Sequence, residues 1–297
     1  MNILVTGALG QLGSEIRAAV RAMGPTEDHY IFSDVASVPG EDILPLDITN
    51  SEAVGIICRS EKVDVIVNCA AYTDVEKAES DLDFADLINH RAVGNLAKTA
   101  AQTGATLIHI STDYVFDGEG YKPYTEEDAP APLSAYAVTK FAGEKAIQKS
   151  GCRYIIIRSA WLYSTHGRNF VKTMLGLTAS RDSIRVVCDQ IGTPTCATGL
   201  AALIVKIISE RLTDRTGIYN YTDEGVASWY DFAHEINVYA GHGCNVQPCL
   251  SVDYPTKARR PHYSVLDKSK VKRTFGVDIP HWTQPLKNCI DILKNEE

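Results

Sequence analysis

Two side chains with complementary proton chemistry, Tyr136 and Lys140, lie four residues apart. Both fall in the segment 134–149, whose composition and spacing predict a helix. Because four residues make about one helical turn, the phenol and the ammonium share a face of that helix. A nearby positive charge lowers the pKa of a phenol, so Tyr136 could exchange a proton with a substrate near neutral pH. The same spacing also fits a surface tyrosine and lysine on an amphipathic helix.

Two hydroxyl side chains stand upstream of this pair and could complete the site. Ser111 and Thr112 directly follow an apolar run at 106–110, which predicts a strand. Side chains at the carboxyl end of a parallel strand point into the ligand crevice, where a hydroxyl can bind a substrate carbonyl. The residues themselves do not distinguish between Ser111 and Thr112 for this role.

Three regularly spaced glycines, Gly7, Gly10 and Gly13, follow the first predicted strand and begin the first predicted helix. Glycine lets the chain turn sharply and lets a pyrophosphate approach the backbone amides at a helix N-terminus. Asp34 ends the second predicted strand, where its carboxylate could accept hydrogen bonds from an adenosine ribose. The Gly-x-x-Gly-x-x-Gly spacing also fits an unliganded turn, but its place between strand and helix predicts dinucleotide binding.

Two aspartates bear on how such a cofactor would be held. The charge of Asp34 should repel a ribose 2′-phosphate, so we expect NADH to be accepted at least as well as NADPH. Asp47 has two interpretations that the sequence does not separate. It either caps the next predicted helix, at 51–59, or borders the adenine.

Apolar runs alternate with helical patterns through the first two thirds of the chain. Strands are predicted at 3–5, 30–32, 63–67, 106–110, 154–157 and 184–187, and helices at 11–23, 51–59, 84–102 and 134–149. This alternation predicts an α/β protein with a Rossmann-type doubly wound parallel sheet. After about residue 212 the alternation fades, which indicates a smaller C-terminal lobe. We predict a dinucleotide-binding domain at 1–165, with returning elements near 184–212, and a mainly substrate-binding lobe at 166–297.

Composition and charge count against several classes of function. The 297 residues include 29 Lys and Arg and 37 Asp and Glu, a formal charge of -8, whereas nucleic-acid binding needs clustered positive charge. No apolar stretch is long enough to predict a membrane span, and no group of ligands predicts a metal site. The cysteines are scattered without a Cys-x-x-Cys pair, which is typical of reduced thiols. We expect a cytoplasmic protein whose partners include neither nucleic acid nor a membrane.

With these features in place, the sequence resembles the extended short-chain dehydrogenase/reductase superfamily and, within it, the dTDP-4-dehydrorhamnose reductase family. The superfamily resemblance is carried by the glycine loop and by Tyr136 and Lys140, with Thr112 in the Ser/Thr position. The closer resemblance is carried by motifs that span nearly the whole chain, at 68–79, 111–118, 158–163, 190–195 and 258–261. It therefore does not depend on a single motif.

The resemblance implies an NAD(P)H-dependent oxidoreductase of cell-surface polysaccharide biosynthesis, which reduces the 4-keto group of dTDP-4-dehydro-L-rhamnose to give dTDP-L-rhamnose. Tyr136 would give a proton to the carbonyl oxygen, Lys140 would hold the nicotinamide ribose, and Thr112 would orient the carbonyl. The implied cofactor contacts are Gly7, Gly10, Gln11, Leu12, Gly13, Asp34, Asp47, Ile48, Ala71, Tyr72, Thr73, Tyr136 and Lys140. The implied nucleotide-sugar contacts are Thr112, Asp113 and Trp161.

Trp161 and a pair of arginines are further candidates for holding the nucleotide sugar. Trp161 follows a predicted strand, so burial in the core is the alternative to a place in the substrate crevice. Arg259 and Arg260 lie between Pro255 and Pro261. Two guanidiniums suit a diphosphate through paired hydrogen bonds, although an exposed, solvated pair is the alternative.

Two other functions fit parts of this pattern. One is a sugar-nucleotide epimerase or dehydratase on the same scaffold. Dehydratases typically follow the active-site threonine with Asp and Glu, whereas Thr112 is followed by Asp113 and Tyr114. The other is a non-catalytic NAD(P)-binding regulatory subunit, against which the intact Thr112, Tyr136 and Lys140 argue.

The sequence leaves both a monomer and a homodimer open. Some relatives are described as dimers that magnesium bridges through acidic side chains. Glu15 matches one such position, but Thr198 and Ile292 stand where others are expected. This departure counts against a magnesium-bridged dimer here.

Overall fold

The computed structural model describes residues 1–295 of the chain. The strands are β1 (Asn2–Thr6), β2 (His29–Asp34), β3 (Leu44–Pro45), β4 (Val65–Asn68), β5 (Thr106–Thr112), β6 (Arg153–Ser159), β7 (Leu162–Tyr163), β8 (Ser183–Val187), β9 (Ile191–Gly192), β10 (Thr195–Cys196), β11 (Gly217–Asn220), β12 (Ala227–Ser228) and β13 (Asn245–Cys249). The α-helices are α1 (Gln11–Met23), α2 (Ser51–Ser60), α3 (Val75–Ala78), α4 (Leu82–Asp86), α5 (Val93–Thr103), α6 (Ala135–Lys149), α7 (Phe170–Ser180), α8 (Ala197–Ser209), α9 (Trp229–Ala240), α10 (Ser269–Phe275) and α11 (Thr283–Asn295). None of these helices combines the length and the apolar character that crossing a membrane requires.

Seven strands form a parallel sheet in the order β3-β2-β1-β4-β5-β6-β11. Central strands such as β4 are short, β-branched and buried throughout, because helices cover both faces of the sheet. The strand order reverses beside β1, so the ligand crevice of such a sheet opens at the carboxyl ends of β1 and β4. The predicted Rossmann-type α/β fold is confirmed.

Two apolar layers hold the helices against the sheet. On one face, Ile16 of α1 and Ile204 of α8 pack in the same cluster as Val5 of β1. On the other face, Leu96 of α5 packs in the same cluster as Leu4. Because successive side chains of a strand point to opposite faces, β1 alone contributes to both layers.

A second apolar core lies outside the sheet and is built around α7, α9, α11 and the strand pair β8–β13. The strand predicted at 184–187 is present, but it pairs with β13 and not with the main sheet. Its side chains alternate between exposed and buried, which is typical of a strand with one buried face. The strand that completes the main sheet at this edge is β11, which the sequence analysis missed.

The elements beyond residue 165 divide between the two cores. α8, β11 and α10 return to the core of the sheet, so this return extends past 212. α7, β8, α9, β13 and α11 build the second core. The division of the chain into two domains at 165 stays a prediction.

The helix predicted at 84–102 is interrupted in the structure. A π-helical turn at Leu87–Ala92 separates α4 from α5. Asn89 in this turn is fully buried, and a Cβ on Gly143 of α6 would lie 2.2 Å from its carbonyl oxygen. Single π-helical turns of this kind are frequent at functional sites.

A buried ion pair ties α6 to the two strands beneath it. Arg158 of β6 donates from Nε to Glu144 Oε1 at 3.0 Å and from Nη2 to Oε2 at 2.7 Å. Ser111 of β5, which neighbours Arg158 in the sheet, donates to Glu144 Oε1 at 2.5 Å. The two charged side chains are only 2% and 1% exposed. This network therefore sets the position of α6, which carries Tyr136 and Lys140, relative to the strands.

We expect Glu144→Gln to lower the free energy of unfolding by about 3–5 kcal/mol, because the Arg158 guanidinium would stay buried without its counter-charge. Asp253→Asn is the control, since it removes the partner of Arg185 in an exposed ion pair and should cost about 1 kcal/mol or less. Urea unfolding of both variants measures the difference. Equal losses in the two variants would contradict the role of the buried pair.

Candidate active site

The three candidate catalytic side chains come together where β5 ends and α6 begins. Thr112 is the last residue of β5, and Tyr136 and Lys140 lie in the first two turns of α6. The helix begins after Ser134, whose hydroxyl accepts a hydrogen bond from the Ala137 amide at 3.3 Å. The Thr112 hydroxyl acts on the Tyr136 phenol and stabilises its charged form. The hydroxyl predicted to bind a carbonyl and the phenol are therefore adjacent, although they come from different elements.

Lys140 is almost fully buried, with 2% of its surface exposed. Its ammonium donates a hydrogen bond to the Ile110 carbonyl at 2.6 Å. Loss of hydration lowers the pKa of Lys140 to about 8, and the Glu144 carboxylate opposes this shift. The ammonium is therefore held at the end of β5 and is mostly charged at neutral pH.

The expectation that Lys140 lowers the pKa of Tyr136 is wrong for the protein without ligands. Burial raises the pKa of Tyr136 to about 12, while the Thr112 hydroxyl opposes the rise and the Asp113 carboxylate adds to it. Lys140 directs its ammonium to the Ile110 carbonyl and not to the phenol. The phenol is consequently neutral at neutral pH, which is the form that can give a proton to a carbonyl oxygen.

Asp113 is a buried carboxyl group beside these residues, with 2% of its surface exposed. Burial raises its pKa to about 7, although the hydroxyls of Ser264 and Thr112 stabilise its charged form. The Thr112 hydroxyl donates to Asp113 Oδ1 at 3.0 Å. Ser111, the other hydroxyl considered for the carbonyl, donates instead to the Glu144 carboxylate. The geometry therefore favours Thr112 over Ser111 for contact with a ligand.

The glycine loop packs so tightly that two of its positions require glycine. Gly7 has a φ of 69°, and a Cβ there would lie 2.6 Å from the backbone nitrogen of Ala70. A Cβ on Gly13 would lie 2.2 Å from the Gly7 carbonyl oxygen. Gly10 is the N-cap of α1, and its amide donates to the same carbonyl at 3.1 Å. This packing brings the N-terminal amides of α1 to the ligand crevice, where a pyrophosphate would bind.

The side chains of three predicted cofactor residues play different parts. Leu12 and Ile48 are 5% and 3% exposed and pack in the cores on opposite faces of the sheet. Their backbones, and not their side chains, are thus available to a ligand. Gln11 accepts a hydrogen bond at Oε1 from Asn169 Nδ2 at 3.0 Å, and Asn169 caps α7. Gln11 therefore connects the glycine loop to the second core.

The two aspartates considered for the adenosine differ in their surroundings. The Leu9 amide donates to Asp34 Oδ2 at 3.0 Å, which holds that carboxylate beside the glycine loop. Asp47 accepts a hydrogen bond from the Thr49 amide at 2.8 Å, whereas the side chain of Asn50 caps α2. The cap interpretation of Asp47 is therefore wrong, and its contact with the adenine stays a prediction.

Asn89, which the sequence analysis missed, shapes the segment 71–73 that is predicted to run beside the cofactor. Its Oδ1 accepts from the Tyr72 amide at 2.9 Å, and its Nδ2 donates to the Tyr72 carbonyl at 3.0 Å. Nδ2 also donates to the Thr139 hydroxyl of α6 at 3.3 Å. The available signal was an asparagine in an Ala-rich helical pattern, because a buried amide needs hydrogen-bond partners.

Trp161 lies between β6 and β7 at the carboxyl edge of the sheet. Its side chain is partly buried against the second core, so part of the indole stays open. The ring stacks on Trp229, with the two centroids 3.6 Å apart. The backbone of Trp161 adopts a φ of 47°, a left-handed conformation that is uncommon for a bulky residue. Contact between this indole and a nucleotide sugar stays a prediction.

The two arginines predicted to hold a diphosphate differ in exposure. The Arg259 side chain is 61% exposed and forms an ion pair at the surface. The Arg260 side chain is 28% exposed and pairs with Glu76 at 3.0 Å. The charge of Arg260 also acts on the phenol of Tyr114, which packs edge-on against Tyr136. Arg260 is therefore the less exposed of the two arginines, and its charge reaches the side chain that packs on Tyr136.

Glu76, which the sequence analysis also missed as a site residue, anchors the segment that carries these arginines. The backbone amides of Lys257 and Ala258 donate to its Oε2 at 2.9 and 3.5 Å. Its Oε1 accepts from Arg260. One carboxylate at the start of α3 thus holds the segment 257–260 in place. Within the family-like motif at 68–79, nothing in the sequence distinguishes this role from that of the neighbouring acids.

The positions considered for a magnesium bridge have other surroundings here. Glu15 is buried and accepts a hydrogen bond from the Thr198 hydroxyl at 2.9 Å. Ile292 is an exposed apolar residue of α11. Within residues 1–295, no group of three or more His, Cys, Asp or Glu side chains could hold a metal ion.

Comparisons with known proteins extend over the whole of this arrangement. A family model described as the RmlD substrate binding domain matches residues 1–295. The dTDP-4-dehydrorhamnose reductase of Escherichia coli K12 is 40% identical over 99% of this chain and 98% of its own. A crystal structure of a dTDP-4-dehydrorhamnose reductase from Clostridium acetobutylicum is 42% identical, with a TM-score of 0.91 over 99% of this chain and 100% of that one. The same enzyme from Bacillus anthracis, solved in complex with NADP, is 34% identical, with a TM-score of 0.89 over 98% and 99%.

These comparisons confirm the resemblance seen in the sequence, and with it the nature of the protein as an oxidoreductase. The match includes the glycine loop, α6 and the arginine segment, because it covers nearly the full length of both chains. Sequence and structure therefore agree on one conclusion. The chain belongs to the dTDP-4-dehydrorhamnose reductase family of NAD(P)H-dependent enzymes.

Proposed function

We propose that this protein reduces the 4-keto group of dTDP-4-dehydro-L-rhamnose to give dTDP-L-rhamnose, for cell-surface polysaccharide biosynthesis. The observation that carries the proposal is the meeting of Thr112, Tyr136 and Lys140 where β5 ends and α6 begins, in a chain of this family. A hydroxyl, a neutral phenol and a buried ammonium are the groups that a carbonyl reduction requires. The assay that tests the proposal is oxidation of NADH or NADPH that depends on the keto sugar nucleotide.

A nicotinamide dinucleotide fits the glycine loop. Gly7 and Gly13 have no room for a side chain, because a Cβ at either position would clash with the backbone. The N-terminal amides of α1 are therefore not covered by side chains from these two positions. The backbones of Gly10, Gln11 and Leu12 would bind the pyrophosphate, and Asp34 would bind the adenosine ribose. When bound, the reduced nicotinamide supplies a hydride to the carbonyl carbon.

Each catalytic side chain has its own part in the reduction. Tyr136, kept neutral by burial that raises its pKa to about 12, gives its proton to the carbonyl oxygen. Thr112 turns its hydroxyl from the Asp113 carboxylate toward the same oxygen and stabilises the charge that develops there. The Lys140 ammonium, fixed at the end of β5 by the Ile110 carbonyl, would hold the nicotinamide ribose.

A dehydratase and a binding-only subunit are less well supported than a reductase. Tyr114 occupies the position in which a dehydratase carries its second acid, and burial raises the pKa of this phenol. It packs edge-on against Tyr136 with ring centroids 6.0 Å apart, so it supports the site as an apolar ring. A regulatory subunit would have no use for the buried ammonium of Lys140.

We further propose that NADH is accepted at least as well as NADPH. Asp34 is held in place by the amides of Leu9 and Ala36, at 3.0 and 3.3 Å, which keeps a negative charge where a 2′-phosphate would lie. The relative from Bacillus anthracis binds NADP, so the preference is a property to be measured on this chain. The proposal places the reaction in the cytoplasm, in a monomer or homodimer. No bridging magnesium is needed, because Glu15 is paired with Thr198.

Removal of the phenol hydroxyl tests the proton donor. We expect Tyr136→Phe to lower kcat by about 10²–10⁴-fold, because the proton donor is lost, while the Kd for NADPH is unchanged. Tyr30→Phe is the control, since the Tyr30 hydroxyl on β2 is buried and has no hydrogen-bond partner within the described chain. Steady-state kinetics and cofactor titration measure both effects. A Tyr136→Phe rate like that of the control would rule out this proton donor.

Two substitutions at one position test the cofactor preference. We expect Asp34→Asn to shift the ratio of kcat/KM values toward NADPH, because it removes the charge but keeps an acceptor for the Leu9 amide. Asp34→Ala should shift the ratio in the same direction and also weaken both cofactors, because that acceptor is lost. A wild-type preference for NADPH of about tenfold or more, equivalent to about 1.4 kcal/mol, would contradict the electrostatic argument.

The arginine segment is tested by its effect on the nucleotide sugar. We expect Arg260→Ala to raise KM for the sugar about tenfold or more, since each charge-assisted hydrogen bond contributes about 1.5–3 kcal/mol. Arg260→Lys should restore only part of the affinity, because an ammonium lacks the paired geometry. Arg259→Ala is the matched control and should have a smaller effect, since that side chain is more exposed. Affinity for NADH should not change, and unaltered KM values in both alanine variants would exclude this diphosphate site.

A further inference from the structure

The backbone of Trp161 adopts a conformation that a bulky residue does not favour. With a φ of 47°, this residue lies in the left-handed region, where a bulky side chain is strained. Such a conformation persists only when the surroundings determine it more strongly than the local backbone does. The Thr195 amide donates to the Trp161 carbonyl at 3.2 Å, which fixes the backbone but not the ring. The ring must therefore be held by other contacts.

Trp229 and Gly192, both from other segments, lie against the ring, and Phe232 lies farther away at a centroid distance of 6.4 Å. The Trp229 ring lies parallel to the Trp161 ring within 11°, at a centroid distance of 3.6 Å. A Cβ on Gly192 would lie 2.7 to 2.9 Å from three atoms of the Trp161 indole. Because a real Cβ does not approach so closely, the indole occupies the space that a side chain at Gly192 would fill. The position of the ring is thus set by stacking on Trp229 and by the space that Gly192, which has no side chain, leaves open.

Gly192 and Trp229 are themselves held in a fixed relation to each other. β9 and β12 pair antiparallel, so Gly192 lies opposite Ala227, two residues before Trp229. α9 begins at Trp229 with a capping box, in which Ser228 and Asp231 each bind the backbone amide of the other. The first turn of α9 is therefore rigid, and the motif at 190–195 acquires a structural reason for its glycine.

We propose that Gly192 and Trp229 are positioning residues that hold the Trp161 indole as one wall of the nucleotide-sugar site. They set the affinity for the nucleotide sugar without touching it. The inference rests on the proposed function, because only there is Trp161 a substrate residue. It goes further because it assigns a role to Gly192 of β9 and to Trp229 of α9. The stacked indole is already ordered and presents a fixed apolar face to a deoxysugar. Binding of the sugar therefore costs no further conformational entropy in this side chain.

The test combines substitutions that disturb the indole from each neighbour. Gly192→Ala should displace the Trp161 ring directly, and Trp229→Leu should remove its stacking partner, so each should raise KM for the nucleotide sugar about tenfold. In both variants kcat and the Kd for NADPH should stay within about twofold of wild type. The reason is that the indole binds the sugar equally in the ground state and in the transition state, so its loss affects KM alone. Trp229→Phe keeps a ring for stacking and should recover most of the affinity.

A spectroscopic readout reports the position of the indole independently of turnover. Two indoles stacked this closely couple their transitions, which produces a paired positive and negative band in circular dichroism. Trp161→Phe and Trp229→Phe should abolish that couplet. Trp282→Phe is the control, since Trp282 lies in the same aromatic cluster but packs edge-on against Phe232 at 5.9 Å. Gly192→Ala should reduce the couplet without removing either indole, and thermal unfolding of each variant excludes general loss of structure.

The outcomes separate this inference from the proposed function. Unchanged KM in Gly192→Ala and Trp229→Leu, with a normal wild-type rate, would overturn the inference and leave the reductase assignment intact. If the wild-type protein shows no turnover, the proposed function fails. The inference is then tested on the Kd of dTDP-L-rhamnose by calorimetry, where the same tenfold loss is expected. A couplet that persists in Trp229→Phe would also overturn it, because the stacked geometry would then be wrong.

Discussion

The arrangement of the active site depends on a single buried ion pair, between Arg158 of β6 and Glu144 of α6. Neither charge is exposed, so each requires the other, and the pair can form only when the helix lies in one place on the sheet. Ser111 adds a third contact from β5. Since the same helix carries Tyr136 and the same strand ends at Thr112, the ion pair indirectly sets their separation. The Arg158–Glu144 ion pair thus positions the candidate catalytic side chains but takes no part in the reaction itself.

Burial, more than charge, sets the pKa values of the side chains in the candidate active site. It raises the pKa of Tyr136 to about 12 and lowers the pKa of Lys140 to about 8. It also raises the pKa of Asp113 to about 7. All three shifts follow from the cost of removing a charged group from water. A cofactor and a substrate would change this environment, because they bring their own hydroxyls and charges into contact with the same side chains.

Residues beyond 165 contact the candidate site at three separate points. Asn169, at the start of α7, binds Gln11 in the glycine loop. Trp229, at the start of α9, stacks on Trp161. Glu76, at the start of α3, holds the segment that carries the arginines. Sequence analysis could not find these contacts, because their members are far apart in the chain and each has an ordinary local environment.

The sequence by itself determined five of the seven strands of the sheet, the glycine loop and the Tyr136–Lys140 pair, because strand burial, tight turns and helical spacing are local patterns. Only the tertiary structure decided that Asn50 and not Asp47 caps α2, and that Arg260 is half as exposed as Arg259 and pairs with Glu76. It also decided that β11 and not the strand at 184–187 completes the sheet. The physical reason is that these outcomes depend on competition between partners distant in the chain. Such a competition is settled by packing, burial and hydrogen-bond geometry, which no local pattern of residues contains.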